Sequence, residues 1–237
     1  MDTLETELKR AHMLETSTLA DAIEQIGFEC TRCGACCKGY DSADDSAERE
    51  PHTATVFPDE VRQLQAAGDY DWRDVARPMP YGLTEGDDGL EGETFEWALQ
   101  TDDCGDCTFY QEADDGTGHC GVHEDRPLIC QTYPFSVGLG GTSQPMGETV
   151  DSVGLPAQQA GETDETGAVV HAHECEGLGR DISRADAEAL ADALKQRAIR
   201  EIQEAIGVRD SYRPTDSERV VVYDSEGPKT QSGRSLE

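Results

Sequence analysis

Apolar residues recurring at three- and four-residue intervals mark three helical stretches. Leu4, Leu8 and Ala11 share one face, and Leu19, Ile23 and Ile26 repeat the pattern up to Gly27. Residues 1–27 therefore read as an N-terminal helical arm, with Gly27 as its stop because glycine takes a positive φ without steric cost. Pro58 opens a second helix over DEVRQLQAAG. The third has Ser183 as N-cap, with Asp186 three residues on in an acidic variant of the capping box. Ala187, Leu190, Leu194, Ala198, Ile202 and Ile206 follow as one stripe, and Gly207 is the predicted stop. Such a stripe must be covered, and packing on the cysteine region or the N-terminal arm is expected ahead of a partner groove.

Period-two and β-branched runs predict strands at Thr94 to Leu99, Phe135 to Leu139 and Val220 to Tyr223. GLTEGDDGLEGE and EADDGTG read as solvated loops, residues 140–166 as a mobile excursion and PKTQSGRSLE as a frayed tail. The expected architecture is α+β: a small, irregular, cysteine-rich metal-binding domain with flanking N- and C-terminal helices. Its expected divisions are the arm (1–27), the cysteine-bearing domain (28–180), an amphipathic helix packed on it (181–207) and a terminal strand with a flexible tail (208–237).

Charge narrows the choice of partners. The 237 residues suit one domain with appendages. They carry 50 Asp plus Glu against 19 Lys plus Arg, a formal net charge of −31. That field repels nucleic acid and anionic membrane, which are excluded as partners. Only Lys9, Lys38, Lys195 and Lys229 are lysines, while 36% of the chain is hydrophobic. An acid-rich, lysine-poor chain that can still fold suits a salt-filled cytosol, where screening cancels self-repulsion. The expectation is a halophile's cytoplasmic protein. The start, MDTLETELKR, is polar and acidic and does not read as a secretory signal. The longest apolar run, Val220 to Tyr223, is far short of the roughly 20 residues that span a bilayer.

The chemistry lies in nine cysteines, at 30, 33, 36, 37, 104, 107, 120, 130 and 175. An odd number in a reducing compartment favours metal ligation over a disulfide frame. Cys30-Thr-Arg-Cys33-Gly-Ala-Cys36-Cys37 concentrates four thiols in eight residues. A Cys-x-x-Cys unit lets two thiolates converge on one metal with the backbone wrapped around it, and Gly34 permits a tight ligand loop. Because neighbouring side chains diverge, one of Cys36 and Cys37 is expected to point to a different ligand set or into a core. Cys107, Cys120 and Cys130 lie on loops and turns from which they can complete sites begun by the first motif, with Cys175 as the last candidate. Cys104 is set aside as supernumerary, although Cys104 with Cys107 has zinc-knuckle spacing. Eight thiols allow two four-thiolate sites, or one cluster with spare thiols.

The first motif, the Cys107-x12-Cys120 pair, the run RPLICQTYPF and a late cysteine together resemble the CxxCxxCC family of zinc- or iron-chelating domains, the YkgJ-type cysteine-cluster proteins. The resemblance covers roughly residues 28 to 180, and Arg126, Pro127, Tyr133, Pro134 and Phe135 carry it alongside the cysteines. It implies a metal-chelating domain with Cys30, Cys33, Cys36, Cys37, Cys107, Cys120, Cys130 and Cys175 as ligands. Gln131 stands where family members often have Arg, which bears on a cation at that place and not on the metal. A related cluster accompanies flagellin lysine N-methylases, so the resemblance also admits a modifying enzyme.

All-thiolate ligation suits both zinc and iron–sulfur clusters. The Cys-x-x-Cys-x-x-Cys run with a distant fourth cysteine leans toward [4Fe–4S], although no proline follows the run and Cys37 is unaccounted for. Arg32, Lys38 and Arg126 lie where positive charge would offset an anionic cluster, or are ordinary surface cations. His119, His123, His171 and His173 are nitrogen donors near cysteines, with solvated loop histidines as the plainer alternative. Tyr133-Pro134-Phe135 reads as turn and core ahead of a shield for a cluster. No nucleotide loop, catalytic triad, HExxH or methyl-donor loop appears. The leading expectation is an iron–sulfur protein with a redox, metal-handling or partner-supporting role. The rivals are a structural zinc protein and a cluster-dependent modifying enzyme.

Overall fold

A computed structural model describes residues 3–41, 49–86, 89–139, 148–156, 168–215 and 219–236. In chain order the elements begin with α1 (Leu4–Met13), α2 (Thr16–Ile26), β1 (Tyr40–Asp41), β2 (Arg49–Glu50), β3 (Thr55–Val56) and α3 (Pro58–Ala67). Next come α4 (Trp72–Val75), β4 (Ala76–Pro78), β5 (Leu83–Gly86), β6 (Gly89–Thr94), β7 (Trp97–Leu99), β8 (Tyr110–Glu112) and β9 (Gly118–Cys120). The last are α5 (Leu128–Thr132), β10 (Phe135–Gly138), β11 (Thr149–Gly154), β12 (Val169–His173), α6 (Arg184–Ser211), β13 (Val220–Asp224) and β14 (Gly227–Lys229). The protein is α+β, and helices flank the cysteine-bearing region. Among the described residues no helix is long and apolar enough to cross a membrane. The chain forms two compact units, one from residues 1–33 and 130–203, the other from 34–129 and 204–237.

In the first unit the N-terminal arm is helical, made of α1 and α2. α2 buries Leu19, Ala20, Ile23 and Ile26 and packs on β11 and β12. It ends at Gly27, whose φ is +78° and where a Cβ would fall 2.5 Å from the Arg180 carbonyl oxygen. The sheet is antiparallel in the order β10-β12-β11. β11 stands inside the stretch expected to be a mobile excursion; residues 140–147 and 157–166 of that stretch lie outside the described residues. α6 starts as its cap predicts, with the Asp186 N–H donating to Ser183 Oγ at 3.2 Å. Its buried face holds Ala187, Ala191, Leu194, Ala198 and Ile202, and also Arg197, while Leu190 is half-buried. Polar ties fasten α6 to the arm, among them Lys195 Nζ to the Leu14 carbonyl at 2.6 Å and Arg184 to Asp21 and Glu24.

The second unit is built on a four-stranded sheet in the order β14-β13-β6-β5, with β13 and β6 parallel. GLTEGDDGLEGE, expected to be a loop, supplies the β5–β6 hairpin: pairing with β13 holds β6 through backbone bonds, so its acidic side chains can stay in water. Thr94 closes β6 and Trp97 opens β7, so the single strand expected at 94–99 is two. The tail is ordered too. Lys229 is 3% exposed and its Nζ lies 2.6 Å from Asp224 Oδ2, which also accepts from Trp97 Nε1 at 2.9 Å. Gly233 sits so close to Trp72 that a Cβ would fall 2.2 Å from the ring. Gly207 does not stop α6, which runs on to Ser211; a Cβ there would lie 2.5 Å from the Ser225 Cβ, so close approach explains the glycine.

Candidate metal centre

All nine cysteines fall among the described residues and stand as thiols. In the second unit, Gly34 adopts φ +76° and opens a short 3-10 turn, Ala35–Cys37, with the Cys37 N–H donating to the Gly34 carbonyl at 2.9 Å. The turn puts Cys36 Sγ and Cys37 Sγ 3.9 Å apart. The expectation that these neighbours diverge is thereby corrected: tight 3-10 geometry turns both sulfurs the same way. Two sulfurs bonded at about 2.3 Å to one tetrahedral metal would lie about 3.8 Å apart.

Further thiols join this pair through the backbone. The Cys107 N–H donates to the Cys37 carbonyl at 2.8 Å. The β8–β9 hairpin then pairs Tyr110 with Cys120, and the Gly121 N–H donates to the Phe109 carbonyl at 2.8 Å. Cys107 is buried, and burial pushes its thiol up to about 11. Hydrogen bonds from the Phe109 and Tyr110 backbone pull the other way, while Cys120 and Cys36 add upward pressure. The Cys36 thiol is raised chiefly by its hydrogen bond with Cys37, and then by desolvation, with Arg126 opposing. Crowded thiols of this kind hold their protons until a cation displaces them. Lys38 pairs with Glu112 and lies 5.2 Å over the Tyr110 ring. Cys104 is exposed in a separate loop, where its N–H bonds Asp102 and its carbonyl bonds Arg49.

The first unit holds Cys30, Cys33, Cys130 and Cys175. Residues 27–29 run antiparallel to 177–179: Phe28 bridges Leu178, Glu29 N–H donates to the Gly177 carbonyl at 3.0 Å, and Gly179 N–H to the Gly27 carbonyl at 3.0 Å. Gly177 is required here, since a Cβ would fall 2.3 Å from the Glu29 carbonyl oxygen. Its N–H also donates to Cys175 Sγ at 3.4 Å, a contact that favours the thiolate. Cys130 lies on α5, and the chain just beyond it is tied to the Cys175 segment. The Tyr133 hydroxyl donates to the Glu174 carbonyl, and the His173 N–H donates to the Pro134 carbonyl at 2.9 Å. Phe135 is buried edge-on to Phe28, so this triplet forms turn and core. Sequence reasoning passed over Gly177, because the Glu29 carbonyl that demands a glycine there lies far away along the chain.

The histidines are engaged elsewhere or exposed. His171 and His173, on β12, bond Ser152 and Ser136 of the neighbouring strands, both at 2.8 Å. His123 faces Glu124, and His119 is exposed on β9. Among the described residues no three Cys, His, Asp or Glu side chains are already closed around one metal position. The donor set nevertheless fits a soft, tetrahedral, thiolate-loving ion, because backbone contacts gather sulfurs and the Gly177 N–H points at Cys175 Sγ.

Residues 29–176 match the CxxCxxCC family, described as "Putative zinc- or iron-chelating domain". No curated protein and no solved structure matches the chain. Since the match runs through more than half of the chain and takes in every candidate ligand from Cys30 to Cys175, the protein belongs to the CxxCxxCC family.

Proposed function

We propose that the protein chelates single metal ions tetrahedrally through thiolates, with Cys30, Cys33, Cys36, Cys37, Cys107, Cys120, Cys130 and Cys175 as the ligands and zinc as the ion. The observation that carries this reading is the 3.9 Å spacing of the Cys36 and Cys37 sulfurs, which suits one shared metal. Zinc at such a site is structural. It cross-links short strands and turns, and its binding energy becomes folding energy. A charge of −31 supports a home at high salt, away from nucleic acid and anionic membrane, and an odd number of cysteines suits a reducing cytoplasm.

A second reading, an iron–sulfur cluster of the [4Fe–4S] type, is favoured by the Cys30-x-x-Cys33-x-x-Cys36 spacing and would bring a redox, metal-handling or partner-supporting role. Metal and acid-labile sulfide content, measured on full-length protein purified anaerobically in high salt, tests both. Zinc without sulfide is expected. Iron with matching sulfide would establish the second reading, and a chain that takes up neither metal would overturn chelation.

A further inference from the structure

We infer that the eight thiols divide into two separate four-sulfur sites, one in each compact unit. Cys30, Cys33, Cys130 and Cys175 form one, and Cys36, Cys37, Cys107 and Cys120 the other. The inference rests on the thiolate chelation proposed above and adds which sulfurs share an ion. A tetrahedral ion is saturated by four thiolates, so eight ligands call for two ions. The sequence run Cys30 to Cys37 looks like one motif, but the boundary between the units falls after Cys33. Directly after it, Gly34 takes φ +76° and turns the chain into the 3-10 turn that bears the second pair.

Each unit gathers its own four by backbone contacts. In the first, the antiparallel run of 27–29 against 177–179 sets Cys30 beside the Cys175 segment. Tyr133 and Pro134, just past Cys130, bond the residues that lead into Cys175. Cys33 then follows Cys30 at Cys-x-x-Cys spacing. In the second, the Cys107 N–H bond to the Cys37 carbonyl and the Tyr110–Cys120 pairing bring the hairpin thiols to the Cys36–Cys37 turn. In the first unit the Cys175 sulfur also accepts the Gly177 N–H, which fixes that thiol at the turn. Cys104 belongs to neither set.

Full-length protein loaded with zinc, or with cobalt(II) as a spectroscopic stand-in, supplies the test. Two ions per chain are expected. The pair Cys37→Ser with Cys107→Ser should retain one, as should the pair Cys130→Ser with Cys175→Ser, and Cys104→Ser should retain both. X-ray absorption on the unaltered zinc protein gives a readout that survives if a variant fails to fold. It should find four sulfurs per zinc and no metal neighbour within about 4 Å. One ion per chain, a close metal–metal distance, or loss of both ions from either pair of substitutions would overturn the partition and leave chelation standing. No metal on the unaltered chain would overturn chelation and the partition with it.

Discussion

Arg197 Nη1 donates to the Thr132 hydroxyl at 3.0 Å, and Thr132 lies two residues beyond Cys130. The guanidinium is 2% exposed; it also donates to the Phe135 carbonyl at 3.3 Å and pairs with Glu201 at 2.7 Å. One buried cation thus ties α6 to α5 and β10 in the unit that holds Cys130. Arg197→Met leaves the half-buried Glu201 without its partner and removes the donors to Thr132 and Phe135, and should cost about 1–3 kcal/mol. Urea denaturation of the zinc-loaded protein reads this directly, and a loss under about 1 kcal/mol would show that the tie is not holding the unit together.

Gly34→Ala strains a left-handed residue and pushes a methyl group to within 2.3 Å of the Tyr110 hydroxyl oxygen. A stability loss of about 1–3 kcal/mol is expected. Competition with a chelator should also show weaker metal binding, because the turn that aligns Cys36 with Cys37 starts at this residue. Unchanged affinity would mean that the turn forms without help from glycine.

Burial, with Arg77 adding to it, lowers His52 from 6.5 to about 4, while Asp106 works against the shift. Between these values the unfolded chain binds a proton that the folded chain refuses, so stability falls as pH falls. The loss amounts to about 3 kcal/mol once pH reaches the folded value. Melting temperatures of His52→Gln should decline less steeply over that window than those of the unaltered protein; parallel curves would refute the assignment.

Thiols must shed protons to bind metal, and both Cys36 and Cys107 hold theirs more tightly than an ordinary cysteine. Zinc affinity should therefore climb with pH, by up to about tenfold per unit for each proton released. Competition titrations between about pH 6 and pH 8 measure it. A flat profile would be incompatible with thiolate ligands.

A charge of −31 on 237 residues predicts salt dependence of another kind. Dilution into low salt should lower the melting temperature as screening is withdrawn, and a melting temperature indifferent to salt would count against a high-salt home.

Helices were the most legible part of the sequence, because Leu19, Ile23, Leu194 and Ala198 advertise a face by spacing alone. The apolar strands β10 and β13 also fall where their runs predict them, but acidic strands held by their ladders were not legible. β6 carries Glu91 and Glu93 and has little apolar signal, and its place comes from pairing with β13 far along the chain. Lys229 and Arg197 look like surface residues in any composition count, yet each is buried because a carboxylate waits for it. At the metal centre the residue types were plain, and the geometry was not. That Cys36 and Cys37 point together depends on a 3-10 turn, and that residues 27–29 lie against the Cys175 segment depends on a long-range approach of backbone at Gly177.

The parallel pairing of Val220–Asp224 with Gly89–Thr94 also bears on how the protein is made. On the ribosome, the edge of β6 has to wait for a partner still more than a hundred codons away, a delay on the order of ten seconds at ordinary elongation rates. Throughout that interval the nascent chain displays an unpaired strand edge and several unmetallated thiols. Newly made molecules are then at their most vulnerable to oxidation and aggregation, and rapid translation or an early metal supply should raise the yield of folded protein.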